Sequence, residues 1–107
     1  LAHIKGKKMN KGYWVVAYRS VSDESALKNY GELAEVAIAA NGGTILARTT
    51  GGLEVHEAGL KQRTVVVEFA SFELAQRTYA SEAYQAALRA LGTAAERDFR
   101  IIEGLEQ

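Results

Sequence analysis

Residues 63–88 read RTVVVEFASFELAQRTYASEAYQAAL. Side chains alternate along a strand, so Val65, Val67 and Phe69 share one wholly apolar face while Thr64, Val66 and Glu68 share a mixed one. The apolar face is expected to lie against helices. Ser71 has the chemistry of an N-cap, its hydroxyl accepting from an orphan N–H of the helix that opens with Phe72-Glu73-Leu74. Leu74, Ala75, Thr78 and Tyr79 follow at helical spacing. Ser81 restarts the helix, and Tyr84, Ala87, Leu88 and Leu91 carry an apolar stripe to Gly92. The stretch therefore predicts a strand, a broken helix and a glycine stop.

Upstream, residues 12–20 (GYWVVAYRS) alternate aromatic and β-branched residues as a strand does. Tyr13, Val15 and Ala17 form one row, Trp14, Val16 and Tyr18 the other. A long helix is expected over 24–40, capped by Asp23 or Ser22 and buried through Leu27, Tyr30, Leu33, Ala34, Ala37 and Ile38. Asn41-Gly42-Gly43 closes it as a glycine C-cap. Residues 43–49 read as a second strand, with Ile45 and Ala47 opposite Thr44, Leu46 and Arg48. Residues 53–57 are expected to be a short continuation or hairpin arm and 58–62 a loop. Downstream, residues 97–104 (RDFRIIEG) give a fourth strand, Phe99 and Ile101 facing one way, Asp98, Arg100 and Ile102 the other.

The order β-α-β-β-α-β predicts an α+β, ferredoxin-like antiparallel sheet with both helices on one face. The row Tyr13, Val15 and Ala17 is assigned to the helix side with Ile45, Ala47, Val65, Val67, Phe69, Phe99 and Ile101. The opposite side collects Trp14, Val16, Tyr18, Leu46, Arg48, Val66, Glu68, Arg100 and Ile102, too much apolar surface to face water as one patch. A homodimer packing sheet against sheet is the expected cover, with a partly polar inter-sheet cavity able to take a small organic molecule.

With 107 residues, 48% of them apolar, the chain holds one domain. That domain is expected over 11–107. Residues 1–10 read as a basic leader, disordered, an expression remnant or an upstream extension, and lack the apolar region of a signal peptide. Thirteen basic residues balance thirteen acidic ones, so global charge gives no case for nucleic acid or an anionic membrane. The absence of cysteine removes disulfide and thiolate chemistry and fits a cytoplasmic protein. No apolar run approaches the ~20 residues of a membrane helix. Gly42-Gly43 and Gly51-Gly52 read as turns, and no phosphate loop, zinc spacing or serine-elbow motif occurs, so no cofactor is expected.

Gly12-Tyr13-Trp14, Gly42-Gly43 with Leu46-Ala47-Arg48, Arg63 with Val65 to Phe69, Ser81 with Tyr84-Gln85-Ala86-Ala87, and Arg97-Asp98 through Ile102-Glu103-Gly104 together resemble the bacterial family called domain of unknown function 1330. The resemblance runs from Lys11 to about Leu105 and implies the dimeric α+β barrel superfamily, whose members include small monooxygenases, isomerases and haem-modifying enzymes. Two departures stand out. The family often has Ser-Pro-Glu-Tyr where this chain has Ser81-Glu82-Ala83-Tyr84, and an arginine near the position of Leu91. The resemblance carries no catalytic residues across, because the family has no established activity.

The candidate chemistry is read from the residues themselves. Arg48 and Glu68 are expected on the inter-sheet face, where the arginine can grip a carboxylate or carbonyl and the carboxylate can act as general base. The plainer reading is an ion pair that fixes the dimer register, and it carries more weight. His56 lies between Glu54 and Glu57 and shares a strand face with Glu54, as an acid/base pair or two metal ligands need. With no third ligand in view, no metal is expected, and a solvated loop histidine is the heavier reading. Trp14 and Tyr18 suit the lining of a pocket for a flat ligand but fit dimer core better. Tyr79 and Tyr84 are expected to pack the broken helix, one hydroxyl reaching the cavity. Arg97 binds an anion or fastens the chain to Glu96 or Glu103, the latter favoured. Two functions follow: a cofactor-free monooxygenase or isomerase with Glu68 or His56 as base, or a non-catalytic dimer module.

Overall fold

The computed structural model describes residues 9–106, so most of the expected leader lies outside the described residues. The elements are β1 (Gly12–Val21), α1 (Glu24–Ala40), β2 (Thr44–Arg48), β3 (Thr64–Phe69), α2 (Phe72–Ala80), α3 (Glu82–Leu91) and β4 (Ala95–Glu103). The strands form one antiparallel sheet in the order β2-β3-β1-β4, with the helices packed on one face in the ferredoxin-like manner. No helix among the described residues is long and apolar enough to cross a membrane.

Local chemistry sets the boundaries. Asp23, not Ser22, caps α1: its Oδ1 accepts from the N–H groups of Ser25 and Ala26 at 3.0 and 3.1 Å. Ser71 caps α2 by accepting from Leu74 N–H at 3.0 Å. Ser81 ends one helix and starts the next. Its hydroxyl donates to the Thr78 carbonyl at 2.7 Å and accepts from Tyr84 N–H at 3.3 Å. Its ψ of 152° breaks the helical path between α2 and α3. Gly12 lets the start of β1 run under α2, since a Cβ there would sit 2.5 Å from the Ser71 carbonyl oxygen.

β3 faces as expected, with Val67 and Phe69 buried. The two rows of β1 are the reverse of the expectation. Trp14 pairs with Val67 and Ile101, and Val16 with Val65 and Phe99. Trp14, Val16 and Tyr18 therefore form the core row, and Tyr13, Val15 and Ala17 take the outer face. Alternation identifies two rows but does not orient them. Burying the Trp/Val/Tyr row removes more apolar area from water and puts Trp14 at the centre of an aromatic cluster. Its ring lies 5.0 Å from Phe69, 4.8 Å from Tyr84 and 5.2 Å from Phe99, contacts worth about 0.5–1.5 kcal/mol each beyond area. Its indole N–H donates to the Ala75 carbonyl at 2.9 Å.

β2 departs from simple alternation too. Ile45 pairs with Val67, Ala47 with Val66 and Arg48 with Val65, with a register shift between Ile45 and Ala47. Leu46 is the extra residue of a bulge, so Ala47 turns to the outer face and Arg48 to the helix side, each opposite to expectation. Residues 53–57 are not a strand but part of the loop from β2 to β3. Leu33, expected in the buried stripe of α1, is 44% exposed. Helix α1 leans on α3 rather than lying flat on the sheet, which leaves a gap beneath it.

Candidate functional site

The gap between α1 and the sheet is a cavity of about 230 Å³. Trp14, Val16 and Val65 form its floor, and Leu27, Ala34 and Ile38 its helical wall. Residues 49, 50 and 63, at the two ends of the long loop, lie on its rim. Gly31 lines it as well, and a Cβ built there would meet nothing within 4 Å. A glycine inside a helix costs about 1 kcal/mol relative to alanine, and here the structure keeps that space empty.

The polar groups of the cavity are chiefly arginines. Arg48 spans from the end of β2 to α1, its Nη1 donating to Glu35 Oε2 at 2.8 Å, and both side chains are about half exposed. Arg97, on the helix-facing row of β4, is partly buried. Its guanidinium lies over the rings of Tyr30, Phe99 and Tyr18 at 4.8, 5.3 and 5.5 Å, and its Nη1 donates to the Tyr30 hydroxyl at 2.9 Å. Arg63 approaches the same Tyr18 ring at 5.7 Å. Among the described residues neither Arg63 nor Arg97 has a carboxylate within 4.0 Å. The fastening of Arg97 to Glu96 or Glu103 is thus corrected: strand alternation sends Glu96 to the other face, and Glu103, in the same row as Arg97, lies six residues along β4, about 20 Å away.

Behind Tyr30 stands Tyr84, fully buried, the two hydroxyls 2.6 Å apart. Burial, reinforced by Tyr30, raises the Tyr84 phenol well above its ordinary value, and burial likewise raises Tyr18. For Arg97, burial opposes the charge, but the oxygens of Tyr30 and Tyr84 outweigh it and hold the guanidinium above its ordinary value.

The sequence candidates are distributed as follows. Trp14, Tyr18, Arg48 and Arg97 line this one cavity, and Tyr84 reaches it only through Tyr30. Glu68 is on the outer face of the sheet, where Tyr13 Oη donates to it at 3.0 Å and Lys11 Nζ at 3.3 Å. It cannot pair with Arg48, which the bulge turns to the other side. His56 sits on the loop, 2.6 Å from Glu54 Oε2, both side chains well exposed, and no group of three metal-ligating residues forms among the described residues. The cavity found is therefore within the protomer and not on the inter-sheet face, because the aromatic row of β1 points inward. Sequence reasoning took Tyr30 only as stripe and missed Gly31, Glu35 and Arg63. A glycine in mid-helix was the legible signal.

A family model described as "Domain of unknown function (DUF1330)" matches residues 11–105. No curated protein matches the chain in sequence. Among solved structures, a protein of unknown function from Rhodopseudomonas palustris is similar with TM-score 0.72 and 12% identity, covering 99% of this chain and 92% of its own. A dimeric protein of unknown function with a ferredoxin-like fold from Bacteroides fragilis is similar with TM-score 0.56 and 17% identity, over 91% and 99%. SnoaB, a cofactor-independent oxygenase from Streptomyces nogalater, is similar with TM-score 0.56 and 10% identity, over 92% and 96%. At these identities the likeness is one of fold.

Proposed function

Because the chain belongs to the family Domain of unknown function (DUF1330), which assigns it no activity, we propose a function from its own geometry: it holds a small organic molecule between α1 and the sheet of each protomer. The observation that carries this is the open cavity, with Gly31 giving up helix propensity at a lining position where a Cβ would meet open space. Its volume suits a one- or two-ring molecule and leaves no room for a nucleotide cofactor beside it. Cofactor-free oxygenase or isomerase chemistry fits such a site, and the fold-level likeness to SnoaB favours it, though fold alone does not assign chemistry.

The working unit is a cytoplasmic homodimer in this proposal. The outer sheet face presents Val15, Val66 and the exposed Leu46 and Ile102 around the Tyr13–Glu68 hydrogen bond, an apolar surface with a polar centre that a second copy can cover. The dimeric ferredoxin-like protein from Bacteroides fragilis, similar in fold, supports this. Native mass spectrometry tests both parts. The expected result is a dimer that carries a reproducible small added mass or takes up small aromatic compounds, and Gly31→Leu should abolish that uptake without changing the dimer. A protein that takes up nothing across a panel of one- and two-ring compounds overturns the binding reading; a monomer overturns the dimer.

A further inference from the structure

The Arg97 end of the cavity bears on the class of molecule bound, an inference that rests on the proposed use of this cavity. Tyr84 is fully buried, its hydroxyl 2.6 Å from that of Tyr30 and also within reach of Arg97, which can only donate, so Tyr30 is the acceptor open to its hydrogen. A buried phenol hydrogen without an acceptor is costly, so Tyr84 donates and Tyr30 accepts. Tyr30 also accepts from Arg97 Nη1 at 2.9 Å. A phenol oxygen has two lone pairs and one hydrogen. With both lone pairs engaged, Tyr30 is left with its own hydrogen to donate, and Tyr30 is the member of the pair that lines the cavity. Accepting from a guanidinium and from a second hydroxyl polarises that O–H and makes it a stronger donor.

Charge points the same way. Arg48 is matched by Glu35, but Arg97 and Arg63 flank Tyr18 with tyrosine rings and, for Arg97, phenol oxygens for neighbours, and no carboxylate within 4.0 Å among the described residues. A partly buried cation placed only for stability is ordinarily given a carboxylate. Here an apolar chamber ends in two cations without a carboxylate and one polarised donor, a setting that suits an anion. Nη1 of Arg97 is already committed to Tyr30, which leaves less of the planar fork for a bidentate carboxylate and favours a single anionic oxygen. We propose that the ligand is a small, mostly apolar molecule carrying one anionic oxygen, seated with that oxygen at the Tyr30 hydroxyl and the Arg97 guanidinium and its body on Trp14, Val16 and Val65.

The test uses 4-nitrophenol, whose anion alone is coloured, and nitrobenzene as its neutral counterpart. The absorbance of protein-bound dye is titrated against pH, and nitrobenzene binding is followed by protein NMR shifts. The wild-type protein should lower the pKa of the bound dye by about 1 unit or more, which is an anion bound at least about tenfold tighter than the neutral phenol. Arg97→Met should abolish the shift. Tyr30→Phe, which keeps the ring and removes only the hydroxyl, should reduce it by at least half and stands as the second variant if Arg97→Met does not fold. A bound dye with an unshifted or raised pKa overturns the inference, as does a full shift that survives Tyr30→Phe. If nitrobenzene binds while the dye anion is not preferred, the cavity reading stands and only the oxyanion inference falls. If neither compound binds, the cavity reading falls and takes this inference with it.

Discussion

Gly31 offers the sharpest test, because filling the cavity should strengthen the protein while disabling it. Gly31→Ala removes an intrinsic helix penalty of about 1 kcal/mol, and the added Cβ meets nothing within 4 Å, so the full gain is expected. Gly31→Leu gains a similar propensity term. Its side chain enters a cavity lined on the same helix by Leu27, Ala34 and Ile38. Full burial of a leucine is worth about 1.5–3 kcal/mol, and half of that is reasonable for a chamber open at its rim. The sum is a stabilisation of about 2 kcal/mol, some 8–16 °C in Tm at the usual 4–8 °C per kcal/mol for a domain of this size. Urea and thermal unfolding at one fixed protomer concentration measure it, since the stability of a dimer depends on concentration. Ligand uptake on the same samples should be lost in Gly31→Leu and weakened in Gly31→Ala. A Gly31→Leu protein less stable than wild type would refute the reasoning, because it would mean that the space beneath α1 is not available to a side chain.

Other consequences are checked more simply. Gly12→Ala should cost more than about 2 kcal/mol, because its Cβ would meet backbone atoms of Ser71 and Phe72 at 2.5–2.8 Å and backbone yields poorly to overpacking; a urea midpoint equal to wild type would contradict it. Arg48→Ala should change stability by less than about 1 kcal/mol, since its pair with Glu35 is half exposed. It should also leave the sedimentation of a dimer unaltered, because the bulge turns Arg48 to the helix side; dissociation would place it at the interface after all. At alkaline pH the phenols of Tyr18 and Tyr84 are raised above 10.0 in the folded chain, so the unfolded chain loses those protons first. Their contribution is complete below about pH 10 and falls as pH rises beyond it, with a limiting slope of about 1.4 kcal/mol per unit for a phenol that is ionised in the unfolded chain and still protonated in the folded one. Unfolding free energies measured between pH 9 and 11.5 that stay flat would show that these hydroxyls are not held neutral.

Apart from residues 53–57, the sequence by itself determined which segments are strands and helices, and their order. Those are local properties: the alternation at Val65, Val67 and Phe69, the cap chemistry of Asp23 and Ser71, the break at Ser81 and the stop at Gly42 are each set by residues within a turn or two of one another. The βαββαβ order then left the ferredoxin-like sheet as the economical packing. What only the tertiary structure decided is which way the rows of β1 and the end of β2 face. In β1 both rows are apolar, so the choice between Trp14 and Tyr13 as core was made by distant partners, Val67, Phe99 and Ile101, pairing across the sheet. In β2 one extra residue at Leu46 moved Arg48 from one face to the other, and a period of two has no memory once a bulge intervenes. The cavity followed from those two choices and from the lean of α1. It is a space rather than a residue pattern, assembled from Tyr30, Gly31, Arg63 and Arg97 on separate elements, and only the packing of those elements brings an unmatched guanidinium to a buried pair of phenols.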